Sequence, residues 1–218
     1  VDLIIGAEGT LGVVSEIEVI AVPKPAYVTG VVIFFDSETL AVSFVKLIRQ
    51  LKNKPVAIEF FDVNVLELLR QRKLKNPDAQ DIPSIPENVA SAIYVEYHAE
   101  DENIMNGFID EMCAVMAETG GNEELTWMAS DDKEMKKLKN FRHAVPETVN
   151  LIIDERRKKN PDITKLGTDL SVPDRYLDEI IQLYTQTLCR NNLEYAIFGH
   201  IGNNHLHVNI LPHDYEEY

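Results

Sequence analysis

The sequence predicts an α+β fold, a mainly antiparallel sheet with helices on one face. The first observation is that runs rich in β-branched and aromatic residues alternate with segments whose apolar residues recur at helical spacing. The second is that these strand and helix units repeat along the chain and end in a stretch typical of a β-hairpin. A chain of 218 residues that is 45% hydrophobic can bury the core that such a fold needs.

The first 25 residues are predicted to form two strands that flank a glycine loop. Residues 3–5 are apolar, residues 13–22 alternate polar with apolar, and residues 6–12 have the sequence GAEGTLG. The Pro-Lys-Pro segment at 23–25 marks a natural boundary after the second strand.

The middle of the chain is predicted to alternate strands with helices. Ser37, in an Asp-Ser-Glu segment, is a typical helix cap, and the glycines at 120 and 121 are a typical helix end. Three prolines and many charges predict a long exposed loop at 71–88. The predicted strands are 28–35, 56–61, 92–98 and 124–128, and the predicted helices follow residues 36–38 or span 62–70 and 102–118.

The last third of the chain is predicted to hold two helices, a strand and the hairpin. Pro173 and Asp174 are residues that typically open a helix, and Gly-Asn-Asn at 202–204 is typical of a hairpin turn. The predicted elements are helices at 131–150 and from Pro173 through 188, a strand at 164–170, and hairpin strands at 195–198 and 205–211.

The hairpin concentrates three of the six histidines within eight residues, which indicates a metal site. If Asn203 and Asn204 are the two turn residues, His200 lies directly opposite His207, with Cβ atoms roughly 4.5 to 5.5 Å apart. Two imidazoles at that spacing can hold one cation at about 2.0 to 2.1 Å from each nitrogen. The alternative is a polar, solvated hairpin face whose histidines bond to water or backbone.

Composition excludes several classes of protein. The net charge of −15, from 36 acidic and 21 basic residues, argues against binding to nucleic acid or to anionic lipid. No run is long and apolar enough for a transmembrane segment. Cys113 and Cys189 lie in apolar, helix-like patterns without ligand spacing, which predicts buried thiols and a cytoplasmic protein. The start lacks an initiator Met and a basic signal region, so we expect the chain to begin within a longer protein.

The glycine loop leaves two alternatives open. One is a tight connection between two strands, and the other is a loop whose backbone amides approach a ligand closely. It does not have the dinucleotide-binding pattern GxGxxG at the start of a helix, because the sequence that follows it predicts a strand.

Two motifs, one near each end of the chain, resemble the same family. Residues 6–16, GAEGTLGVVSE, resemble the end of the flavin-binding domain of FAD-linked oxidases of the vanillyl-alcohol oxidase superfamily. Residues 199–209, GHIGNNHLHVN, resemble the cap domain of the branch that contains D-lactate and D-2-hydroxyglutarate dehydrogenases and glycolate oxidase, and DLSVP at 169–173 is also typical of it. The resemblance implies that residues 1–25 are the edge of the FAD-binding domain and that 26–218 are a ferredoxin-like, substrate-binding cap, truncated at its C-terminus.

The resemblance also implies site residues in the cap. His200 and His207 match the family's ligands for a divalent metal, which we expect to be zinc, and Asn209 matches a position near the substrate. His205 is a departure, because many members have Asn there, so it is an extra ligand, a neighbour of the ligands or neutral variation. Arg142 matches an arginine that clamps the substrate carboxylate, and the alternative is an ion pair with a nearby acid such as Glu147.

Two further groups of residues follow from the resemblance. A family lysine falls at Gly167 here, and Lys165 lies two residues earlier as a second candidate contact to the substrate. Contacts to FAD are expected from the glycine loop and the start of the next strand, at Gly6, Glu8, Gly9, Thr10, Gly12 and Val14.

The implied reaction is the oxidation of a D-2-hydroxy acid, such as D-lactate, glycolate or D-2-hydroxyglutarate, to the 2-oxo acid, with hydride transfer to FAD and onward to an electron acceptor that the sequence does not identify. The family's catalytic His and a Glu ligand are expected beyond Tyr218, so the fragment alone is expected to be inactive. The alternative is a metal-binding regulatory or assembly module without redox chemistry. A metallohydrolase would need a carboxylate base at a recognised spacing from the metal, and the sequence has none.

Overall fold

The computed structural model describes residues 2–76 and 82–218, and within them the protein has one eight-stranded sheet and five α-helices. The strands are β1 (Tyr27–Phe35), β2 (Ala57–Asp62), β3 (Ser91–Ala99), β4 (Asn122–Ala129), β5 (Leu166–Gly167), β6 (Leu170–Ser171), β7 (Tyr195–His200) and β8 (His205–Ile210). The strand order is β4-β1-β3-β2-β7-β8-β5, and β6 also pairs with β8. All of these pairings are antiparallel, so the predicted α+β class is confirmed.

The helices lie on both faces of the sheet, so the prediction of helices on one face is wrong. They are α1 (Glu38–Ile48), α2 (Val63–Lys75), α3 (Glu102–Thr119), α4 (Asp132–Arg157) and α5 (Leu177–Arg190). Helices α1, α3 and α5 pack in one core, and α2 and α4 pack in the other. In β1, Val31 and Ile33 face the first core while Val32 and Phe34 face the second, and all four are fully buried. A strand buried on both faces has a continuous apolar run, and this one does.

Strands β2 and β7 join the two halves of the sheet, one built from residues before 130 and the other from residues after 160. The paired residues are Phe60 with Gly199 and Phe61 with Phe198. Asp62 adds to this junction because its Oδ2 accepts a hydrogen bond of 3.0 Å from the backbone N–H of Ile197. Its Oδ1 accepts one of 2.8 Å from Val65 and so caps α2.

The predicted long loop at 71–88 starts later and is partly buried. Helix α2 continues to Lys75, and residues 77–81 lie outside the described residues. Beyond them, Ile82 and Ile85 are buried in the core beside α2 and α4. The apolar character of these two isoleucines outweighs the prolines and charges around them.

The hairpin of β7 and β8 forms, but the predicted turn is wrong. His200 pairs with His205, not with His207, because residues 201–204 form a four-residue turn. Asn204 ends this turn at a φ of 58°, and its buried side chain bonds to Arg49 and Asp174, both at 2.7 Å. The register differs from the predicted one by two residues. Since side chains alternate with a period of two, the predicted sharing of one face is unaffected.

The first 26 residues contain no helix or strand in the part that the structure describes, so the strands predicted at 3–5 and 13–22 are absent there. Their apolar side chains are exposed, with Val13 at 96% and Ile20 at 97%. A strand needs a neighbour for its backbone hydrogen bonds, and no described strand pairs with this segment. The glycine loop forms turns, with Gly6 and Gly9 both at a φ of 77°.

The two cysteines are free, as predicted, but both are exposed rather than buried. Cys113 lies beside the buried Met112 on α3, and Cys189 lies beside the buried Leu188 on α5, so in each case the neighbouring residue faces the core. Among the described residues, no helix combines the length and the apolar composition that crossing a membrane requires.

Candidate active site on the sheet face

The candidate site lies on the sheet face that α2 and α4 cover, where β2 meets β7. Glu59 on β2 is almost fully buried, with 6% of its side chain exposed. Both of its carboxylate oxygens lie 2.9 Å from Nδ1 of His200, which ends β7. Its Oε1 also accepts a hydrogen bond of 2.5 Å from Nη2 of Arg142 on α4. One buried carboxylate therefore holds an arginine and a histidine together.

This contact determines how His200 can be used. A carboxylate at Nδ1 favours the tautomer in which Nδ1 carries the proton and donates it in a hydrogen bond. The lone pair of Nε2 then remains available to a metal ion or to a hydroxyl group. Half of the His200 side chain, 51%, is exposed, so this second nitrogen belongs to an accessible ring.

Arg142 faces the sheet rather than a neighbour on its own helix. The alternative partner, Glu147, pairs instead with Arg72 of α2 at 3.0 Å. The guanidinium carbon of Arg142 lies 5.7 Å from the centre of the Tyr94 ring. An aromatic face and a carboxylate together orient a guanidinium group, and 35% of the Arg142 side chain is still exposed to a ligand.

A second cluster lies on the same face of β8. Oδ1 of Asp169, between β5 and β6, lies 2.6 Å from Nε2 of His205 and 3.1 Å from Nδ1 of His207. The ring centres of His205 and His207 are 4.7 Å apart, and the His200 ring is 5.5 Å from His207 and 6.0 Å from His205. Burial and then the neighbouring His205 imidazole lower the pKa of His207, which favours the neutral form of this ring.

Arg142 and His200 line one cavity of about 420 Å³. Its other charged lining residues are Arg49, Lys54 and Glu59, and because Arg49 pairs with Asp174 as Arg142 pairs with Glu59, three cationic side chains face two carboxylates. A cavity with this excess of positive charge, in a chain whose net charge is −15, suits a small anion. His207 is not among the lining residues.

The remaining residues named from the sequence lie outside this cavity. Asn209 is buried on β8, and its Nδ2 donates a weak bond of 3.4 Å to the backbone oxygen of His207. Lys165 directly precedes β5 and is half-buried. The six residues expected to contact FAD occupy the exposed N-terminal segment, and none of them is among the described residues that line the cavity.

Two residues of the site were not predicted. Glu59 lies between apolar residues in the middle of β2, and because its neighbours Ile58 and Phe60 face the opposite core, it had to face the α2 and α4 side. That isolated charge is the signal that sequence analysis missed. Asp169 belongs to the DLSVP segment, but no local pattern places its carboxylate beside His205 and His207.

Comparison with known proteins identifies the family. Residues 24–217 match the family described as FAD linked oxidases, C-terminal domain. This chain is 27% identical over 216 residues to D-lactate dehydrogenase (cytochrome) 1, mitochondrial, of Saccharomyces cerevisiae, which covers 99% of this chain and 35% of the relative. It is 25% identical to D-2-hydroxyglutarate dehydrogenase of Pantoea ananatis, over 94% of this chain and 20% of the relative.

A solved structure of alkyldihydroxyacetonephosphate synthase has a TM-score of 0.57 and 12% identity to this chain, and the match covers 85% of this chain and 36% of that one. This likeness shows a shared fold. The chain thus spans about a third or less of the length of these relatives. It belongs to the FAD-linked oxidases, as their C-terminal domain.

Proposed function

We propose that the protein carrying this domain is an FAD-linked dehydrogenase that oxidises a D-2-hydroxy acid to the 2-oxo acid, and that this domain binds the substrate. The observation that carries the proposal is the network in which Glu59 holds Arg142 and His200 at the wall of one cavity. A 2-hydroxy acid presents a carboxylate beside a hydroxyl group, which a guanidinium and an imidazole respectively recognise. The names of the relatives favour D-lactate or D-2-hydroxyglutarate, and glycolate rests on the sequence motifs.

In this proposal Arg142 binds the carboxylate of the substrate. Its guanidinium has five N–H donors, of which Glu59 occupies one at Nη2, so a bidentate contact to a second carboxylate remains possible. Glu59 and the Tyr94 ring hold the group in place before the substrate arrives, which reduces the entropy lost on binding. Asn209 and Lys165 are proposed as further substrate contacts, on the motif resemblance alone.

The chemistry of the donor set also fits a divalent metal on His200 and His207. With Nδ1 of His200 bonded to Glu59, its Nε2 is the available ligand atom, and a ring-centre distance of 5.5 Å to His207 suits two imidazoles on one ion. His200 and His207 would hold this ion, which would supply Lewis-acid polarisation of the substrate hydroxyl, and FAD would supply the hydride acceptor. Zinc is our proposal for the ion.

The proposed contact to FAD is the loop that begins the chain. Gly6, Gly9 and Gly12 adopt positive φ values and have open space where a Cβ would stand, so the backbone of this exposed loop is accessible to a ligand. We propose that these glycines, with Glu8, Thr10 and Val14, contact FAD. In the same proposal residues 1–25 belong to the edge of the FAD-binding domain and 26–218 to the cap.

We also propose a location and partners for the protein. Two cysteines without a disulfide suit a reducing compartment, which supports a cytoplasmic location. An electron acceptor must reoxidise the flavin, and a relative is named for a cytochrome. The acidic composition continues to argue against nucleic acid as a partner.

The test is flavin reduction in the whole flavoprotein that contains this domain. Under anaerobic conditions, D-lactate or D-2-hydroxyglutarate should bleach the visible absorbance of FAD, and Arg142→Lys should slow this reaction. A point charge replaces a bidentate fork, and the loss of one charge-assisted hydrogen bond, about 1.5 to 3 kcal/mol, corresponds to about one to two decades in kcat/KM.

Arg72→Lys is the matched control, because Arg72 pairs with Glu147 away from the cavity and should leave flavin reduction unchanged. If no D-2-hydroxy acid reduces the wild-type flavin, the proposed function is wrong. If Arg142→Lys lowers the melting temperature without affecting kcat/KM, Arg142 is a structural ion-pair residue and its assignment to the substrate fails.

A further inference from the structure

The cavity that contains Arg142 and His200 follows the beginning of β2. Residues 54–59 line one wall, and Gly202 and Asn203 of the hairpin turn line the wall opposite. The pairing of β2 with β7 begins only at Phe60, so the earlier edge of β2 faces this turn instead of a strand in the part of the chain that the structure describes. An added Cβ at Gly202 would stand 3.2 Å from Cβ of Ile58, so a glycine allows the turn to approach β2 closely. The cavity therefore extends from the proposed site toward the loop that precedes β2.

Two cationic side chains, Arg49 and Lys54, lie toward the loop end of the cavity. Nη1 of Arg49 donates a hydrogen bond of 2.7 Å to Oδ1 of Asn204, and its Nη2 forms an ion pair with Asp174. Asn204 and then Arg49 lower the pKa of Asp174, and Lys54 contributes least to this shift. Lys54 itself is exposed, and among the described residues its ammonium group has neither an ion pair nor a hydrogen bond. The cavity therefore has one positive charge without a counter-charge, and it belongs to Lys54.

The wall between the two ends of the cavity is apolar. Arg142 lies at the Glu59 end, and the side chains that separate it from Lys54 along the wall are those of Pro55, Val56 and Ala57. Aliphatic side chains contact methylene groups favourably and offer no hydrogen bond. A guanidinium and an ammonium group separated by such a wall match a molecule whose two carboxylates are joined by methylene groups.

The volume of the cavity, about 420 Å³, favours the same kind of molecule. A water molecule takes roughly 30 Å³ in the liquid, so D-lactate, with its short three-carbon chain, would fill less than about half of this space. A five-carbon acid with a second carboxylate would fill most of it.

We infer that Lys54 is a specificity-determining residue, which binds a second carboxylate of the substrate, and that the substrate is therefore a 2-hydroxy dicarboxylic acid such as D-2-hydroxyglutarate. This inference rests on the proposed function, because it assigns the other end of the same cavity. Arg142 binds the carboxylate beside the hydroxyl group, and Lys54 binds the distal one. Lys54 does not contact the reacting atoms, so it holds the substrate and the transition state equally well and acts on KM rather than on kcat.

The experiment is anaerobic flavin reduction in the whole flavoprotein with two matched acids. D-2-hydroxyvalerate has the chain of D-2-hydroxyglutarate with a methyl group in place of the distal carboxylate. Wild type should prefer the dicarboxylic acid by about five- to tenfold in kcat/KM, and the preference should weaken at high ionic strength because Lys54 is exposed.

Lys54→Gln should remove most of this preference by raising KM for D-2-hydroxyglutarate, with kcat and the kinetics of D-2-hydroxyvalerate almost unchanged. Lys54→Arg keeps the charge and should retain the preference. Lys52→Gln is the matched control, because Lys52 is exposed in the same loop but does not line the cavity, and it should have no effect.

Three results would overturn the inference and leave the proposed function intact. The first is an equal kcat/KM of wild type for the two acids, and the second is a preference that Lys54→Gln does not reduce. The third is an equal loss of activity toward both acids in Lys54→Gln, which would make Lys54 a structural residue. If instead no D-2-hydroxy acid reduces the wild-type flavin, the proposed function itself is wrong, and the inference is wrong with it.

Discussion

Removing the charge of Glu59 should show how strongly Glu59 interacts with Arg142. Glu59→Gln keeps the shape of the side chain but leaves the Arg142 guanidinium without the counter-charge of this buried carboxylate. A hydrogen bond to a charged group contributes about 1.5 to 3 kcal/mol. Since 35% of the Arg142 side chain is exposed, water compensates part of this loss, and we expect the free energy of unfolding to fall by about 1 to 2 kcal/mol. For a chain of this size that is about 2 to 8 °C in melting temperature.

The assay is a double-mutant cycle by urea unfolding with Glu59→Gln, Arg142→Met and the double variant. The coupling energy between the two positions should be about 1 kcal/mol or more. Glu147→Gln provides the control, because Glu147 is 60% exposed beside Arg72 and should cost less than about 0.5 kcal/mol. A coupling energy near zero would refute the argument that the buried carboxylate orients Arg142, whatever the effect of each single substitution.

Two more predictions concern stability. Burial raises the pKa of Asp62 to about 8, so the folded state binds the carboxyl proton more tightly than the unfolded state does. The stabilisation that this proton gives the folded state is fully present below pH 4 and is lost as the pH rises toward 8. The free energy of unfolding of wild type relative to Asp62→Asn should therefore fall between pH 4 and 8, by at most about 1.4 kcal/mol per pH unit, and a flat difference in chemical denaturation would contradict this. Gly199→Ala should lower the melting temperature, because Gly199 has a φ of 138° and an added Cβ would stand 2.7 Å from Cδ2 of His207. Gly107→Ala, in open space on α3, should instead leave it unchanged or raise it, and equal effects of the two would show that the Gly199 backbone can relax.

The sequence predicts the class of fold because most of its strands and helices carry local signals. Ser37 caps α1 and Gly120 ends α3, as predicted. The strands predicted in the first 26 residues failed because a strand depends on a neighbour, which a local pattern does not supply. The two-sided burial of β1 is visible in its continuous apolar run, whereas the prediction placed helices on one face of the sheet only.

The candidate site was also predicted only in part. The histidines could be predicted as a group because they lie within eight residues of one another. The predicted register was wrong by two residues, but the histidines still share one face because side chains alternate along a strand. Glu59 and Arg142 are 83 residues apart, and Glu59 and His200 are 141 apart. Contacts at such separations depend on the order of the strands and on which helix crosses which face, neither of which periodicity determines.

The junction of β2 with β7 has a consequence for folding. Glu59 belongs to the half of the sheet that is complete before residue 130, whereas His200, His205 and His207 belong to the other half. Contacts so distant in sequence are costly in loop-closure entropy and tend to form late. The proposed site, which needs Glu59 and the histidines together, therefore exists only after both halves have docked, so a partly folded chain with either half intact would have an incomplete site. Substitutions at Phe60 or Phe61 that loosen the docking should thus abolish ligand binding before they unfold the helices.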